Sequence, residues 1–211
     1  MDDSPKKNTR RRRVSTVLIA LGVIAIAAAL ALLCYNAYDD NRAESEAGAA
    51  LDDLLGQLPD ASADELARQA ALAGGGDMPV TYVDGVAYIG YLELCDLGIN
   101  LPVAAEYRLS QLRSTPARYS GSVYTDDIVI CAHNYSTHFG GLRDLDAGSK
   151  VYFVDATGLM WEYEVLGVEV VQPTAISEML GTDGSGSSWD MTLFTCTPGG
   201  AARVAVRLKR C

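Results

Sequence analysis

The stretch TLFTCTPGGAARVAVR, residues 192–207, holds two runs of strand-forming residues on either side of a short turn. The flanking runs, Met191–Cys196 and Arg203–Lys209, are rich in β-branched and apolar residues, which is typical of β-strands. The TPGG segment between them consists of turn-forming residues, so we expect the two strands to be antiparallel neighbours. Such a pairing would bring the side chain of Arg203 close to the thiol of Cys196.

The residues upstream show a similar texture of short apolar runs separated by Gly, Asp and Pro. The predicted elements are a strand at Val86–Leu94, a short helix at Glu106–Arg113, a strand at Asp127–Ala132, a hairpin formed by Val151–Val154 and Leu159–Val171, one or two helical turns at Ala175–Leu180, and a loop at Gly181–Asp190. Many short strands at this spacing indicate a mostly β fold, either a barrel or a sandwich.

The segment before the β region predicts two helices. A stripe with the helical period ends before Pro59 and is formed by Leu51, Leu54, Leu55 and Leu58. Ser62 and Glu65 have the spacing of a capping box for a second helix through Ala71, which Gly74–Gly76 would end. These helices either lie on the β domain or form a stalk, and their composition favours the stalk.

The N-terminal part of the chain predicts a membrane anchor. Val14–Tyr35 is a run of 22 residues without a charge, long enough to cross a hydrocarbon core of about 30 Å. Six basic residues precede it, which predicts a cytoplasmic N-terminus and an extracellular remainder. A cleaved signal peptide is the alternative, because alanines at positions 27 and 29 resemble a cleavage site, but the length of the run favours an uncleaved anchor.

The organisation expected from these patterns has four parts. They are a basic cytoplasmic segment at 1–13, a transmembrane anchor at 14–35, a helical stalk or pair of helices at 36–78, and a β domain at 79–211. Beyond residue 13 the chain has 11 basic and 25 acidic residues, an acidic excess that argues against nucleic-acid binding. Its cysteines have no CxxC spacing, and no metal site or cofactor is predicted.

Three residue types on neighbouring strand ends suggest a reactive site. Cys196 ends one predicted strand, His133 follows another, and Arg203 begins the last one, sharing a strand face with Arg207. A thiolate is a nucleophile, histidine transfers protons near neutral pH, and arginine stabilises negative charge. The alternative is structural, because a lone strand cysteine usually packs in a core and single His and Arg residues are usually solvated. His138 is expected to be a loop residue.

The chain from about Val86 to Arg207 resembles the sortases, cysteine transpeptidases of the Gram-positive cell surface. TLFTC matches the TLxTC signature of that family, and Arg203 falls where its arginine is expected. Ala132-His133-Asn134 is similar to the small-residue-His-Asn element that follows a strand in sortases. Leu101–Val103 and Arg118–Gly121 also look like segments of the family.

This resemblance implies an eight-stranded, mostly antiparallel β-barrel with short helices, preceded by a helical segment and one transmembrane helix. Cys196 would attack the Thr–Gly bond of an LPxTG-like sorting signal of a surface protein, and an amine of lipid II or peptidoglycan would resolve the thioacyl intermediate. His133 would act as general acid and base, and Arg203, with Arg207 as the alternative, would stabilise the oxyanion. Thr195 would help to shape the substrate groove of this single-pass protein of the cell membrane.

The sequence predicts either a class B-like or a class D-like sortase. Helices before the barrel are similar to class B, whereas the moderately long loop before TLFTC is short for that class. The missing lid and second C-terminal apolar segment weigh against a pilin-type sortase, which stays an alternative. Another alternative is a non-catalytic, membrane-tethered domain that binds a surface partner. The L,D-transpeptidases carry their cysteine in an S-x-G-C context, which TLFTC does not match.

Overall fold

The computed structural model describes residues 5–181 and 188–211, with side chains from residue 15 onward. Most of the predicted loop Gly181–Asp190 and the first four residues of the predicted cytoplasmic segment lie outside this range. The described helices are α1 (Pro5–Leu55), α2 (Glu65–Gly74) and α3 (Ile176–Leu180), and the strands are β1 (Thr81–Val83), β2 (Val86–Leu94), β3 (Ile99–Ala104), β4 (Ala117–Ser120), β5 (Ile128–Cys131), β6 (Lys150–Asp155), β7 (Met160–Val171), β8 (Met191–Cys196) and β9 (Arg203–Arg210).

Eight of the strands close into a barrel. Their order around the ring is β2-β3-β4-β5-β8-β9-β7-β6, and β6 pairs with β2 to complete it, while the short β1 pairs with the beginning of β2. Most neighbours are antiparallel, but β3 is parallel to β4 and β5 is parallel to β8. The prediction of a mostly antiparallel, eight-stranded barrel is therefore confirmed.

The strands predicted from the sequence are confirmed to within about one residue at each end. The β6–β7 hairpin joins Val154 to Met160 across a tight turn. A second tight turn links β8 to β9, where the backbone N–H of Thr197 donates to the carbonyl of Ala202 at 3.0 Å. Glycine and proline in the TPGG segment allow this reversal, so the last two strands are adjacent as predicted.

The predicted helix at Glu106–Arg113 is wrong, because only Gln111–Arg113 form a short 3-10 helix. Tertiary hydrogen bonds hold the start of this segment outside a helix. The N–H of Ala105 donates to the carbonyl of Ala87 at 2.7 Å, and the Nε of Arg118 donates to the carbonyl of Ala105 at 3.0 Å. These bonds hold the residue immediately before the segment against its neighbours, and the Ala105 carbonyl that a first helical turn would use accepts from Arg118 instead.

The predicted cap of the second helix is also wrong, because α2 begins two residues later than the capping box implies. Asp64 is the N-cap, and its Oδ1 accepts from the N–H groups of Leu66 and Ala67. Ser62 instead joins the end of the β6–β7 hairpin, since its N–H donates to Gly158 and its carbonyl accepts from Met160, both at 2.8 Å. The helix still ends at the predicted glycines.

Helix α1 is longer than either helix predicted in that region. Residues between Tyr35 and Leu51 are mostly good helix formers and include no proline, so the helix continues from the apolar run without a break. Among the described helices, α1 alone is long and apolar enough to cross a membrane, judged by its length and composition. The chain divides into two compact units at Asn41 and Arg42, so this helix contributes residues to both.

Apolar side chains pack on both the inner and the outer side of the barrel wall. The interior is filled by strand residues that alternate with outward-facing ones, and it includes Leu92, Val103, Ile130, Phe153, Trp161, Leu193 and Val206. The outer side of β4, β5, β8 and β9 carries a second cluster that includes Ala117, Cys131, Phe194 and Ala205. Met179 of α3 and Leu54, near the end of α1, pack into this outer cluster, so α3 and the last turns of α1 cover part of the same wall.

A buried carboxylate ties the β6–β7 turn to the barrel. Asp155 is fully buried, and its Oδ2 accepts hydrogen bonds from the Tyr124 hydroxyl at 3.0 Å and from the Trp161 indole at 2.9 Å. Its Oδ1 accepts from the N–H groups of Thr157 and Leu159 at 2.8 and 3.2 Å. Burial and the nearby carboxylate raise the pKa of Tyr124 well above its usual range, so the phenol stays a donor.

We expect Asp155→Ala to lower the free energy of unfolding by about 3 kcal/mol, because it leaves the buried indole of Trp161 and three partly buried donors without this acceptor. Denaturant unfolding of the full-length protein in detergent measures this change. Asp146→Ala is the matched control, since Asp146 is exposed and its removal should change the stability by less than about 0.5 kcal/mol. Equal stability of the two variants would contradict the structural role of Asp155.

Candidate active site

The antiparallel register of β8 and β9 sets Cys196 directly opposite Arg203. Residues that face each other in this way have Cβ atoms about 5 Å apart, and their side chains lie on the same side of the sheet. Cys196 is the last residue of its strand and is partly exposed, so its thiol lies at an accessible edge of the barrel wall. The short turn between the strands is what allows this pairing.

His133 directly follows Ala132, whose backbone is bonded to Phe194 and Thr195 of β8. The parallel register pairs Cys131 with Phe194, and the N–H of Ala132 continues this ladder by donating to the carbonyl of Phe194 at 3.3 Å. Cys196 lies two residues beyond Phe194 at the end of β8, and His133 lies two residues beyond Cys131, just past the end of β5. Continuing the β5–β8 register past Cys131 brings His133 to the side of Cys196 opposite Arg203, and these three residues are here called the row.

The side chains of Cys196 and Arg203 belong to the outer side of the wall. Alternation along β8 separates Leu193, which faces the interior, from Phe194, which belongs to the outer cluster. Cys196 shares the side of Phe194, and Arg203 shares that of Ala205. A peptide lying along the outside of the barrel can therefore reach the thiol and the guanidinium together.

Thr195 has its side chain on the opposite side of the strand from the thiol. It is 3% exposed, and its hydroxyl donates to the carbonyl of Ala132 at 2.9 Å. That carbonyl belongs to the peptide unit immediately before His133. The hydroxyl thus joins the strand of the thiol to the backbone of the histidine, which suggests that it fixes the spacing of the row from inside the wall.

The backbone and ring of His133 are held by the turn that follows it. The carbonyl of His133 accepts from the N–H of Phe139 at 3.3 Å, and its ring lies 5.2 Å from the ring of Tyr135, centroid to centroid. Gly140 closes this turn, and a Cβ there would lie 2.6 Å from the carbonyl oxygen of Tyr135. His138 lies in the same turn, as expected for a loop residue, but its side chain is fully buried and contacts the ring of Tyr135.

Arg203 is held by its own turn and has no carboxylate partner among the described residues. Its Nη1 donates to the carbonyls of Gly200 and Ala202 at 3.2 and 3.1 Å. These bonds orient the guanidinium, and its remaining N–H groups bond to no described residue. A guanidinium with unused N–H donors, on the residue opposite Cys196, is suited to binding a peptide carbonyl or an oxyanion.

Arg207, the alternative arginine, has a different environment. It is 3% exposed and pairs with Thr192, four residues before the thiol, which places it about 13 Å along the strand. Its guanidinium donates to the Thr192 hydroxyl at 3.0 Å, to the carbonyls of Glu178 and Met179 at 2.9 and 3.1 Å, and to the Glu169 carboxylate at 3.3 Å. These hydrogen bonds connect the end of α3 to β8 and β9.

Cys131 lies beneath the row and is unsuited to nucleophilic attack. Burial, and secondly the nearby Cys196, raise the pKa of the Cys131 thiol to about 12. Its Sγ donates to the carbonyl of Ala117 at 3.7 Å. The register separates the Cα atoms of Cys131 and Cys196 by about 8 Å, more than the roughly 7 Å that a disulfide can span. All five cysteines are free.

Two aromatic residues near the row carried no signal in the sequence. Tyr135 supports the imidazole of His133, and Tyr107 lies close enough to Cys196 and Arg203 for their charges to affect its pKa. Tyr107 falls within the segment predicted as a helix, where nothing indicated contact with the thiol. No group of three or more His, Cys, Asp or Glu side chains converges on a point in the part of the chain that the structure describes.

The geometry is suited to acyl transfer, and the comparisons with known proteins agree with it. Residues 92–210 match the family model of the sortase domain. A Clostridium perfringens sortase D5 transpeptidase structure is 18% identical, with a TM-score of 0.55 and coverage of 79% of this chain and 99% of that one. The structure of sortase C1 from Streptococcus agalactiae is 21% identical, with a TM-score of 0.53 and coverage of 62% of this chain and 70% of that one.

A third similar structure is that of Clostridium perfringens sortase C with the C-terminal cell wall sorting motif. It is 22% identical, with a TM-score of 0.50 and coverage of 76% of this chain and 89% of that one. At these identities the structures show a shared fold, and the subclass stays a prediction. A comparison with curated proteins found no match.

Proposed function

Because the chain belongs to the sortase family, we propose that it is a membrane-anchored cysteine transpeptidase whose nucleophile is Cys196. The observation that carries this proposal is the antiparallel register that sets Cys196 opposite Arg203, with His133 following the strand on the other side of β8. A nucleophile, a proton carrier and a fixed positive charge are the groups that acyl transfer through a thioester needs.

In the first half of the reaction, the thiolate of Cys196 attacks the carbonyl carbon between Thr and Gly of an LPxTG-like sorting signal. The carbonyl oxygen becomes an oxyanion, which the guanidinium of Arg203 stabilises by donated hydrogen bonds. His133 donates a proton to the glycine nitrogen as the C–N bond breaks. The products are a thioester on Cys196 and a free peptide with an N-terminal glycine.

In the second half, an acceptor amine attacks the thioester carbon. His133 accepts the proton that the amine loses, and the oxyanion forms again beside Arg203. The C–S bond then breaks, which releases the thiolate and leaves a new amide bond. Water attacking in the same way would give simple hydrolysis, so the relative access of amine and water decides the outcome.

The substrates and the location follow from the family and from α1. We infer that the acyl donor is a surface protein with an LPxTG-like signal and that the acceptor is an amine of lipid II or peptidoglycan. The Clostridium perfringens sortase C structure with its sorting motif supports a peptide of this kind. In the proposed organisation, 1–13 is cytoplasmic, 14–35 spans the cell membrane once, 36–78 is the helical N-terminal region, and 79–211 is the extracellular catalytic barrel.

The proposed activity is tested with the full-length protein in detergent and a library of LPxTG-type peptides, with hydroxylamine or diglycine as the acceptor. Mass spectrometry should detect the N-terminal part of certain peptides joined to the acceptor. The same library identifies the residues that the groove accepts. If no peptide is cleaved or joined, the non-catalytic alternative, a tethered domain that binds a surface partner, becomes the better account.

The two arginines of β9 give a matched pair of variants with opposite expected effects. Arg203→Ala should lower kcat/KM for the cleaved peptide by about 100-fold, the loss expected for one oxyanion donor, with little change in stability. Arg207→Ala should lower the free energy of unfolding by about 3 kcal/mol, because it removes a buried guanidinium with several hydrogen bonds. Steady-state kinetics and denaturant unfolding of both variants measure these effects.

A result with the two effects exchanged would contradict the assignment of Arg203. In that case Arg207→Ala would lose activity at full stability, and Arg203→Ala would keep its activity. Such an outcome would require the oxyanion to form about 13 Å along the strand from its present proposed position.

A further inference from the structure

An exposed tyrosine lies near the strand of the proposed nucleophile and has no part in the reaction steps above. Tyr107 belongs to the connection between β3 and β4 and is 41% exposed. Its neighbours Glu106 and Arg108 form an ion pair at 2.6 Å. The start of the connection is fixed by the bond from Ala105 to the carbonyl of Ala87, so the tyrosine is presented from a held segment.

A line of aromatic rings connects Tyr107 to the strand of the thiol. The ring centroids of Tyr107 and Tyr119 lie 5.2 Å apart with an interplanar angle of 73°, an edge-to-face contact. Tyr119 in turn lies 5.5 Å from Phe194 at 80°. Phe194 is on the outer side of β8, two residues before Cys196, so the line of rings lies on the same side of the wall as the thiol.

The charges of Cys196 and Arg203 act on the phenol of Tyr107. Burial raises its pKa, and the charges of Cys131, Tyr119 and Cys196 raise it further, whereas Arg203 lowers it. The phenol is therefore neutral at physiological pH, and both groups of the Cys196–Arg203 pair lie within electrostatic range. An uncharged aromatic ring at this point offers an apolar surface to whatever is bound beside the thiol.

We propose that Tyr107 is a substrate-binding residue whose ring packs against the acyl-donor peptide next to the scissile bond and helps to select its side chain there. This inference rests on the proposed function. The ring contacts the same part of the peptide before and during attack, so its binding energy lowers KM and leaves kcat nearly unchanged. A role of the hydroxyl in the chemistry would instead appear in kcat.

The test compares Tyr107→Phe, which keeps the ring, with Tyr107→Ala, which removes it. With an LPxTG-type peptide that the wild type cleaves, we expect Tyr107→Ala to raise KM about 10-fold with kcat within about twofold, and Tyr107→Phe to match the wild type. Tyr107→Ala should also accept a wider range of residues immediately before the scissile bond. The full-length protein in detergent is used throughout.

Tyr152→Ala is the control, because Tyr152 lies on β6, three strands from β8 around the barrel. Its KM should equal that of the wild type. The inference is overturned if Tyr107→Ala keeps the wild-type KM and peptide preference, or if Tyr107→Phe loses kcat. A wild-type protein that cleaves no peptide contradicts the proposed function itself, which is a different result from cleavage that is insensitive to Tyr107.

Discussion

Cys196→Ala is expected to abolish cleavage of LPxTG-type peptides, with a loss in kcat of at least about 10⁴-fold. Cys196 is partly exposed at the end of β8, opposite Arg203, and no other described cysteine shares that position. Without the sulfur no thioester can form, so transfer to an amine stops together with hydrolysis. The side chain is small and lies at the edge of the wall, so the thermal midpoint should change little. Peptide cleavage followed by mass spectrometry measures the loss.

Cys131→Ala is the matched control for this variant. It removes a sulfur from the same side of the wall, on the neighbouring strand β5 opposite Phe194, where burial keeps the thiol protonated. We expect cleavage to continue at a rate within a few-fold of the wild type, with a loss of stability of about 1 kcal/mol from the small cavity. Inactivity of Cys131→Ala at full stability, with activity retained in Cys196→Ala, would reverse the assignment of the nucleophile.

His133→Gln should lower kcat by about 10²- to 10⁴-fold, the range that one positioned general acid and base contributes. Glutamine keeps hydrogen-bonding groups of similar reach, but it neither donates a proton to the leaving amine nor accepts one from the incoming amine. The thiol remains in place, so the variant should still react with iodoacetamide at Cys196. The kinetics of peptide cleavage and the rate of alkylation are the two measurements.

Tyr135→Phe provides a control on the same turn, because it keeps the ring that contacts His133. Its kcat should remain within a few-fold of the wild type. Wild-type kcat in His133→Gln would show that another group transfers the proton. The assignment of His133 as general acid and base would then be wrong.

Local chemistry made the last two strands predictable. The alternation of apolar residues and the TPGG turn specify an antiparallel pair, and a short turn fixes the register that sets Cys196 opposite Arg203. The position of His133 required more, because it depends on the parallel pairing of β5 with β8. Those strands are separated by some 60 residues, and no local pattern specifies which distant strands become neighbours.

The errors arose where tertiary contacts override local preference. Glu106–Arg113 has helical composition, yet the bonds of Ala105 to Ala87 and Arg118 hold its first half in another conformation. Ser62 is a good N-cap residue, but it is occupied by the β6–β7 hairpin, and Asp64 caps the helix instead. The position of Tyr107 is likewise not specified by local sequence, since its ring packs on Tyr119 of β4.

The central claim is that a thioester forms on Cys196, and intact-mass spectrometry of the protein tests it most directly. The full-length wild type is mixed with a cleavable peptide and no amine, and the reaction is stopped with acid. The prediction is a mass increase equal to the N-terminal peptide fragment, located on Cys196 by peptide mapping and released by hydroxylamine. Cleavage that proceeds without an adduct on Cys196, or with an adduct on another residue, would contradict the claim.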